Sequence, residues 1–306
     1  MTKKKLPGTR YKQGNVNSKR SNRIVFIALF IIVTAILLYR QDGFRITPLL
    51  PLDGEIVVHF IDVGQGHSVL VQSNENAVLI DGGPPAALSV LVQYLEAAGV
   101  TTIDYVIATH PHADHIGGLA GVLDRFYVQN VWMPDVLHDT AAFERFLDAI
   151  ERNGLAEHTY FIQAGDYLQA GIIQMTAVAP NSSGHRNLNN YSIVLRMQYG
   201  QRSFLFTGDI ESIAEHEIVN IGWLIQADVL QIPHHGSQTS STAVFLDTVR
   251  PNWAVIQSMA GNQFGHPHQS VLDRLNARGI RILRTDEMGT IVIATNGADV
   301  WLVSGY

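Results

Sequence analysis

Six residues in the middle of the chain, His110-Pro111-His112-Ala113-Asp114-His115, carry four metal-ligating side chains in the order H-x-H-x-D-H. Neutral imidazole and carboxylate together suit Zn²⁺, and the same donors accept Mn²⁺ or Fe²⁺. His110 and His112 alternate by two and can face one ion, while Asp114 and His115 can turn toward a second. A single loop histidine is commonly a solvated or capping residue. Four ligand types packed this tightly behind a buried strand have no comparable structural use, because desolvating them unpaired is costly. Two cations about 3.5–4 Å apart lower the pKa of a shared water and clamp the oxygens of a phosphoryl or carbonyl centre, so the chemistry such a turn supports is hydrolysis.

The turn must be held by the elements around it. The apolar run 105–108 reads as a buried strand of a parallel sheet, and residues 119–126, behind Ile116-Gly117-Gly118, read as a helix. The four ligands therefore sit at the carboxyl end of a strand, where open α/β sheets place their sites. Strands over 55–62, 69–71 and 77–80 follow one another at hairpin distance, and the last stops at Asp81-Gly82-Gly83. A helix over 88–98 ends at Gly99. The second half predicts a helix over 141–153, a strand over 172–179 and paired strands over 192–198 and 203–207. A helix over 211–221 and strands over 229–232 and 252–257 come next, then a helix through Arg278 and strands over 280–283, 290–294 and 300–303. Two of these strands also end in ligand-type residues: Gly208-Asp209, and Pro233-His234-His235-Gly236-Ser237. Asp209 alone would read as a helix cap; beside a metal turn it reads as a carboxylate bridging two cations. Tandem histidines on an extended chain point opposite ways, so one is a ligand and its neighbour faces the ligands or the substrate; His235 is favoured as the ligand. Sheet material in both halves, with helices between, predicts two α/β halves meeting across a central cleft.

Composition bounds the setting. With 46% apolar residues the chain can bury a sizeable core, and with no cysteine it has neither disulfides nor thiolate ligands. Residues 1–23 hold eight of the 21 basic residues and no acid, which leaves 13 basic against 27 acidic residues in the remainder, a formal charge of −14. A domain that acidic lacks the electrostatic footprint of a general nucleic-acid binder. Residues 24–39 are apolar apart from Thr34 and are flanked by Arg23 and Arg40. About 16 residues at ~1.5 Å each give ~24 Å, short of a ~30 Å hydrocarbon core, but snorkelling arginines and an interfacial Tyr39 make a spanning helix feasible. No small-x-small cleavage pattern follows, so 24–40 is expected to be an uncleaved transmembrane anchor rather than a cleaved signal. On this reading 1–23 is a disordered cytoplasmic tail, 41–54 a linker, and 55–306 an extracytoplasmic domain.

The strand ends carry a resemblance. Asp62-Val63-Gly64-Gln65-Gly66, the turn 110–115, Phe206-Thr207-Gly208-Asp209 and Pro233-His234-His235-Gly236-Ser237 resemble the metallo-β-lactamase superfamily. Within it, the chain is similar to the extracytoplasmic hydrolase domain of ComEC-type competence proteins and their free-standing relatives. Asn189-Asn190-Tyr191-Ser192-Ile193-Val194-Leu195 and Gly265-His266-Pro267-His268 also resemble that subgroup. The resemblance implies an α/β fold, an αβ/βα four-layer sandwich over 55–306, with two divalent metal ions (Zn, or else Mn or Fe) between its halves. By position it gives His110 and His112 to one ion, Asp114, His115 and His235 to the other, and Asp209 to both, with His234 beside them as the alternative of the tandem pair. Asp81 would orient the histidine turn. Many members place a further His before the bridging Asp; here that region offers Asn190, with His185 a weaker candidate, so the first ion would be more open. His67 stands where the competence subgroup usually has an acidic residue. One apolar run is not a channel-forming set, so DNA translocation is not implied.

The expected roles follow. Asp209 or Asp114 can accept a proton from the attacking water, and His266 or His268 can donate to a phosphate oxygen or leaving group unless they serve to cap the helix near Gln269. Asn190 is either a substrate contact or an inter-strand link, and Asp62 either a substrate contact or the closure of a tight strand end. Three functions are compatible with these residues. The resemblance favours a phosphodiesterase acting on single-stranded DNA or a phosphorylated cell-envelope component, since the relatives include a nuclease domain and a cell-wall phosphorylcholine esterase. The others are a hydrolase of a lactam, lactone, ester or thioester, and a non-catalytic anchored binding protein; no protein partner is predicted.

Overall fold

The computed structural model describes residues 51–303. The chain divides into two units, Met1–Ile46 and Thr47–Tyr306, and the described residues all belong to the second. The apolar run 24–39 and most of the proposed linker lie outside the described residues, among which no helix is long and apolar enough to cross a membrane.

Two sheets face each other. The first has eight strands in the order Val300–Leu302, Ile291–Thr295, Ile56–Phe60, Val69–Gln72, Ala77–Ile80, Thr102–Ile107, Tyr127–Met133 and Thr159–Phe161. The second has seven: Arg281–Arg284, Trp253–Ile256, Val229–Gln231, Arg202–Phe206, Val194–Tyr199, Ile173–Ala179 and Tyr167–Ala170. Each sheet changes from antiparallel hairpins to parallel crossovers part-way across, at Ala77–Ile80 to Thr102–Ile107 in the first and at Arg202–Phe206 to Val229–Gln231 in the second. The metal turn follows the strand at the first of these switches and Asp209 the strand at the second, so both leave the carboxyl end of a strand where the pairing changes from antiparallel to parallel.

Strands such as Ile56–Phe60 and Ala77–Ile80 are buried at every position because both faces of the sheet are covered. The inner faces meet in a core that includes Phe60, Val71, Ile80, Met175, Leu195, Phe204 and Phe206. Leu205, Leu230, Ala254 and Ile256 point the other way, toward the helices Ser212–Ile221, Ala243–Val249 and Gln269–Asn276. The layers are those of the four-layer sandwich expected from the sequence. Phe206 lies 6.3 Å from the ring of Phe60 across the inter-sheet core and three residues before Asp209. Phe206→Ala should therefore cost about 3–5 kcal/mol of stability, read as a lowered urea midpoint.

Patterning assigns no element to Tyr127–Met133, Thr159–Phe161, Tyr167–Ala170 or Ala243–Val249, and the structure places three strands and a helix there. The predicted strand over 192–198 starts two residues later, at Val194, because 188–191 form a 3-10 turn. The tandem histidines also differ from expectation. They lie in a tight turn, not on extended chain, with φ of 51° at His234 and 54° at His235. Left-handed backbone at two successive non-glycine residues stores strain of a kind found at functional sites, and here it aims the two rings.

Candidate metal centre

The local chain folds the H-x-H-x-D-H turn around Asp81. Asp81, itself at φ 59°, accepts from the Thr109 amide through Oδ1 (2.8 Å) and from the Thr109 hydroxyl through Oδ2 (2.8 Å). Its Oδ2 also accepts from Nδ1 of His115 at 2.7 Å. That bond fixes the His115 tautomer and turns Nε2 into the cleft. Asp81 is thus the acceptor shared by Thr109 and the His115 ring. Opposite it, Nδ1 of His235 donates to the Gln257 carbonyl (2.9 Å), which likewise leaves Nε2 facing inward.

Four donors converge there. Oδ2 of Asp209 is 3.2 Å from His115 Nε2 and 3.5 Å from His235 Nε2, and Oδ2 of Asp114 is 3.3 Å from His235 Nε2 and 3.9 Å from His115 Nε2. Donors held at ~2.0–2.2 Å by a tetrahedral ion stand about 3.3–3.6 Å apart, so these spacings suit a divalent cation. Both Nε2 atoms are buried and have no hydrogen-bond partner among the described residues, which is the state of atoms reserved for a ligand. The second location is less enclosed. His110 Nε2 is 2.9 Å from His112 Nδ1 and 4.0 Å from Asp209 Oδ2, so two further imidazoles stand beside the carboxylate of the cage. Among the described carboxylates, Asp209 thus lies beside both groups; the cage of Asp114, His115, Asp209 and His235 fits a divalent ion, and His110 and His112 are the donors that stand next to it.

A network across the sandwich holds the ligands. Ser192 Oγ accepts from the Asp209 amide (3.1 Å) and lies 3.3 Å from His110 Nδ1, tying the bridging residue to the turn. Gln231 accepts from the Thr207 amide and donates to Gln257, which donates to the carbonyls of Ile61 and Ser68 in the opposite sheet. Gly66 is required where the Asp62–Gly66 turn crosses the metal turn, because a Cβ there would lie 2.3 Å from the Asp114 carbonyl.

Other predicted residues fall at the rim or outside. His234 sits beyond the cage, its Nε2 3.9 Å from Asp209 Oδ2, its ring held by Asn189 (3.4 Å), Thr239 (3.3 Å) and Glu211 (3.5 Å). His266 stacks at 6.2 Å on His235, while His268 is the N-cap residue by backbone and its ring accepts from the Gln238 amide. The Asn190 side chain, weighed as a substrate contact, is buried and uses its carbonyl to accept from the Glu211 and Ala214 amides, capping the helix after Asp209. Asp62 accepts from Gly64 and closes its own turn, and His185 pairs with Ser182 and Glu217. Sequence reasoning gave no role to Ser192, or to His138, whose ring lies 5.6 Å from that of His112. His67 was legible only as an oddity of its motif, yet it is fully buried against His115 and His235.

Charge and protons compete for this cage. Burial opposes the charge on His235, but Asp209 and Asp114 outweigh it and push the imidazole up to about 9. His115 is raised in the same way against its burial, by Asp209, Asp81 and Asp114. Burial would raise Asp114 and Asp209, and the neighbouring imidazoles reverse that and hold both well below the usual carboxylate range. A cation must therefore displace protons. Titration calorimetry with Zn²⁺ near pH 7.5, in buffers of different ionisation enthalpy, should show release of at least one proton per ion in the cage. Since the folded His235 value lies above the free one, its contribution to cation-free stability is complete below about 6.5 and lost as pH rises through about 9. The thermal shift on adding Zn²⁺ should accordingly widen from pH 6.5 to 9; a shift that narrows would contradict this.

Comparison with known proteins agrees with the geometry. Residues 61–256 match the family described as "Metallo-beta-lactamase superfamily". The chain is 35% identical over 264 residues to ComE operon protein 3 of Bacillus subtilis, covering 80% of this chain and 34% of that protein. It is 32% identical over 241 residues to competence protein ComA of Neisseria gonorrhoeae, covering 78% and 32%. The chain thus spans about a third of the length of these curated relatives, which are consistent with the competence subgroup resemblance. The fold is shared with Igni18, a metallo hydrolase from Ignicoccus hospitalis, with a TM-score of 0.54 and 15% identity over 77% of this chain and 98% of that one. The chain belongs to the metallo-beta-lactamase superfamily of metal-dependent hydrolases.

Proposed function

We propose that this protein is a dinuclear metal-dependent phosphodiesterase, held at the outer face of a membrane by residues 24–40. The observation that carries the reading is the single carboxylate, Asp209, set between the cage of Asp114, His115 and His235 and the pair His110–His112. Two divalent ions held there, Zn²⁺ or else Mn²⁺ or Fe²⁺, would supply Lewis acidity and a nucleophile near neutral pH, an arrangement suited to in-line displacement at phosphorus. The chain's own groups do the rest. Asp114, with its carboxylate about one-third exposed, is placed to accept a proton from an attacking water. Burial and the neighbouring His235 push His266 down to about 4, so at neutral pH it offers a neutral imidazole that accepts one hydrogen bond and donates one. That makes it a better orienting group for a phosphoryl oxygen than a general acid.

An open groove of about 840 Å³ shares its loops with the centre: its lining includes Asp62, Gln65, Pro84, Ser258 and Met259. It offers room for the non-reacting part of a substrate. The resemblance carried by the sequence motifs favours single-stranded DNA or a phosphorylated envelope component as that substrate, and the net charge of −14 outside the tail favours a short or locally bound segment over long duplex. The membrane placement rests on the apolar run 24–39 and the eight basic residues before it.

The test is a panel on the full chain in detergent with Zn²⁺ or Mn²⁺: a chromogenic phosphodiester, single-stranded DNA, a lactam and a thioester. Turnover of the phosphodiester or the DNA, abolished by chelator, is expected. Turnover of only the lactam or thioester would replace the reading with the other hydrolase class, and a chain that binds no divalent ion would leave only a binding role.

A further inference from the structure

We infer that His67 is the positioning residue of the bridging carboxylate, donating its Nδ1–H to Oδ1 of Asp209 so that Oδ2 alone serves the ions. The inference rests on the metal centre proposed above and assigns a task to a residue outside its ligand set. His67 is fully buried, and its Nδ1 lies 3.5 Å from Asp209 Oδ1. Both atoms, and His67 Nε2 as well, have no hydrogen-bond partner among the described residues. Every nearby ligand nitrogen (His115 at 3.2 Å, His235 at 3.5 Å and His110 at 4.0 Å) faces the other oxygen, Oδ2. Oδ1 is thus the outward oxygen of the bridge, and the imidazole donor in front of it is His67.

The position of His67 is rigid. Its amide donates to the Asp114 carbonyl (3.2 Å), its carbonyl accepts from the Gly83 amide (2.8 Å), and its ring is wedged 4.9 Å from that of His115 and 4.2 Å from that of His235. Closing 3.5 Å to a hydrogen bond near 2.9 Å needs a shift of only about half an ångström. Such a shift satisfies two buried polar atoms at once. Carboxylate ligands held by a hydrogen bond of this kind lose about 10- to 100-fold in metal affinity when it is removed.

The experiment compares the full chain with His67→Asn, whose amide N–H falls where Nδ1–H was, and His67→Leu, which has no donor. Zn²⁺ affinity is measured by competition with a chromophoric chelator, the ligand field by the Co²⁺ d–d spectrum, and folding by circular dichroism of chelated protein. Expected are wild-type affinity for both ions in His67→Asn, and a 10- to 100-fold weakening of at least one ion, with a changed Co²⁺ spectrum, in His67→Leu. If His67→Leu does not fold, His67→Gln, whose amide lies at the Nε2 position, takes its place with the same expectation. Wild-type affinity in the donor-free variant would overturn the inference. Equal loss in His67→Asn and His67→Leu would also overturn it, since a ligand or packing role has no use for the amide. A wild-type chain that holds two ions while these variants do so equally well leaves the proposed function standing; one that holds no ion removes both.

Discussion

Asp209→Asn is expected to reduce hydrolysis by about 10³-fold and to leave the protein with fewer than two ions per chain, without unfolding it. A bound divalent cation supplies several kcal/mol of transition-state charge stabilisation, which is lost with the ligand that holds it, and each ~1.4 kcal/mol is about tenfold in rate. Oδ2 of Asp209 is the oxygen that approaches His115, His235 and His110 together, so no other described carboxylate can take over. An amide keeps the shape but removes the charge and turns an N–H toward imidazoles that need an acceptor. The change is read as metal content by elemental analysis beside kcat on the chromogenic phosphodiester at saturating metal. Full dinuclear loading with undiminished kcat would show that the carboxylate is not the bridge.

Asp81 produces the second large effect, this time divided between stability and loading. In Asp81→Ala, the Thr109 amide, the Thr109 hydroxyl and His115 Nδ1 lose the carboxylate they share as acceptor. Removing one member of a buried charged network costs about 3–5 kcal/mol. Asp81→Asn separates the two consequences. Asparagine tolerates the left-handed backbone at this position (φ 59°) and can still accept from the Thr109 amide. Its NH₂ then meets the Nδ1–H of His115 donor to donor, so the ring loses its orientation and metal affinity should fall about 10- to 100-fold with a smaller loss of stability. Urea unfolding in chelator and Zn²⁺ competition measure the two separately. If Asp81→Asn bound Zn²⁺ as tightly as the wild type, the His115 ring would be held by something other than this carboxylate.

Much of the centre is legible before folding because its ligands are local or sit at predictable breaks. The H-x-H-x-D-H turn needs no tertiary information, since one strand-to-helix connection presents all four side chains. Asp81, Asp209 and His235 stand out because an apolar run stops and a ligand-type residue follows within a few positions. Where patterning fails, a competing cause can be named. Tyr127–Met133 follows its helix with a single residue between, so no turn signal announces it, and Thr159–Phe161 is a three-residue edge strand with two exposed positions. Ser192 looks like the first residue of a strand, yet its hydroxyl is placed by a 3-10 turn to join Asp209 to His110.

The amino-acid sequence alone determined the family, the two-half α/β plan and which side chains make up the candidate metal centre, because those depend on local spacing and on hydrophobic period. Only the tertiary structure decided that His235 and not His234 enters the cage, that Asn190 caps a helix, and that His67 faces the outward oxygen of Asp209. The reason is physical: such choices turn on backbone dihedrals and on contacts between residues 17 to 142 positions apart, which packing of the two sheets brings within hydrogen-bond range and no local pattern encodes.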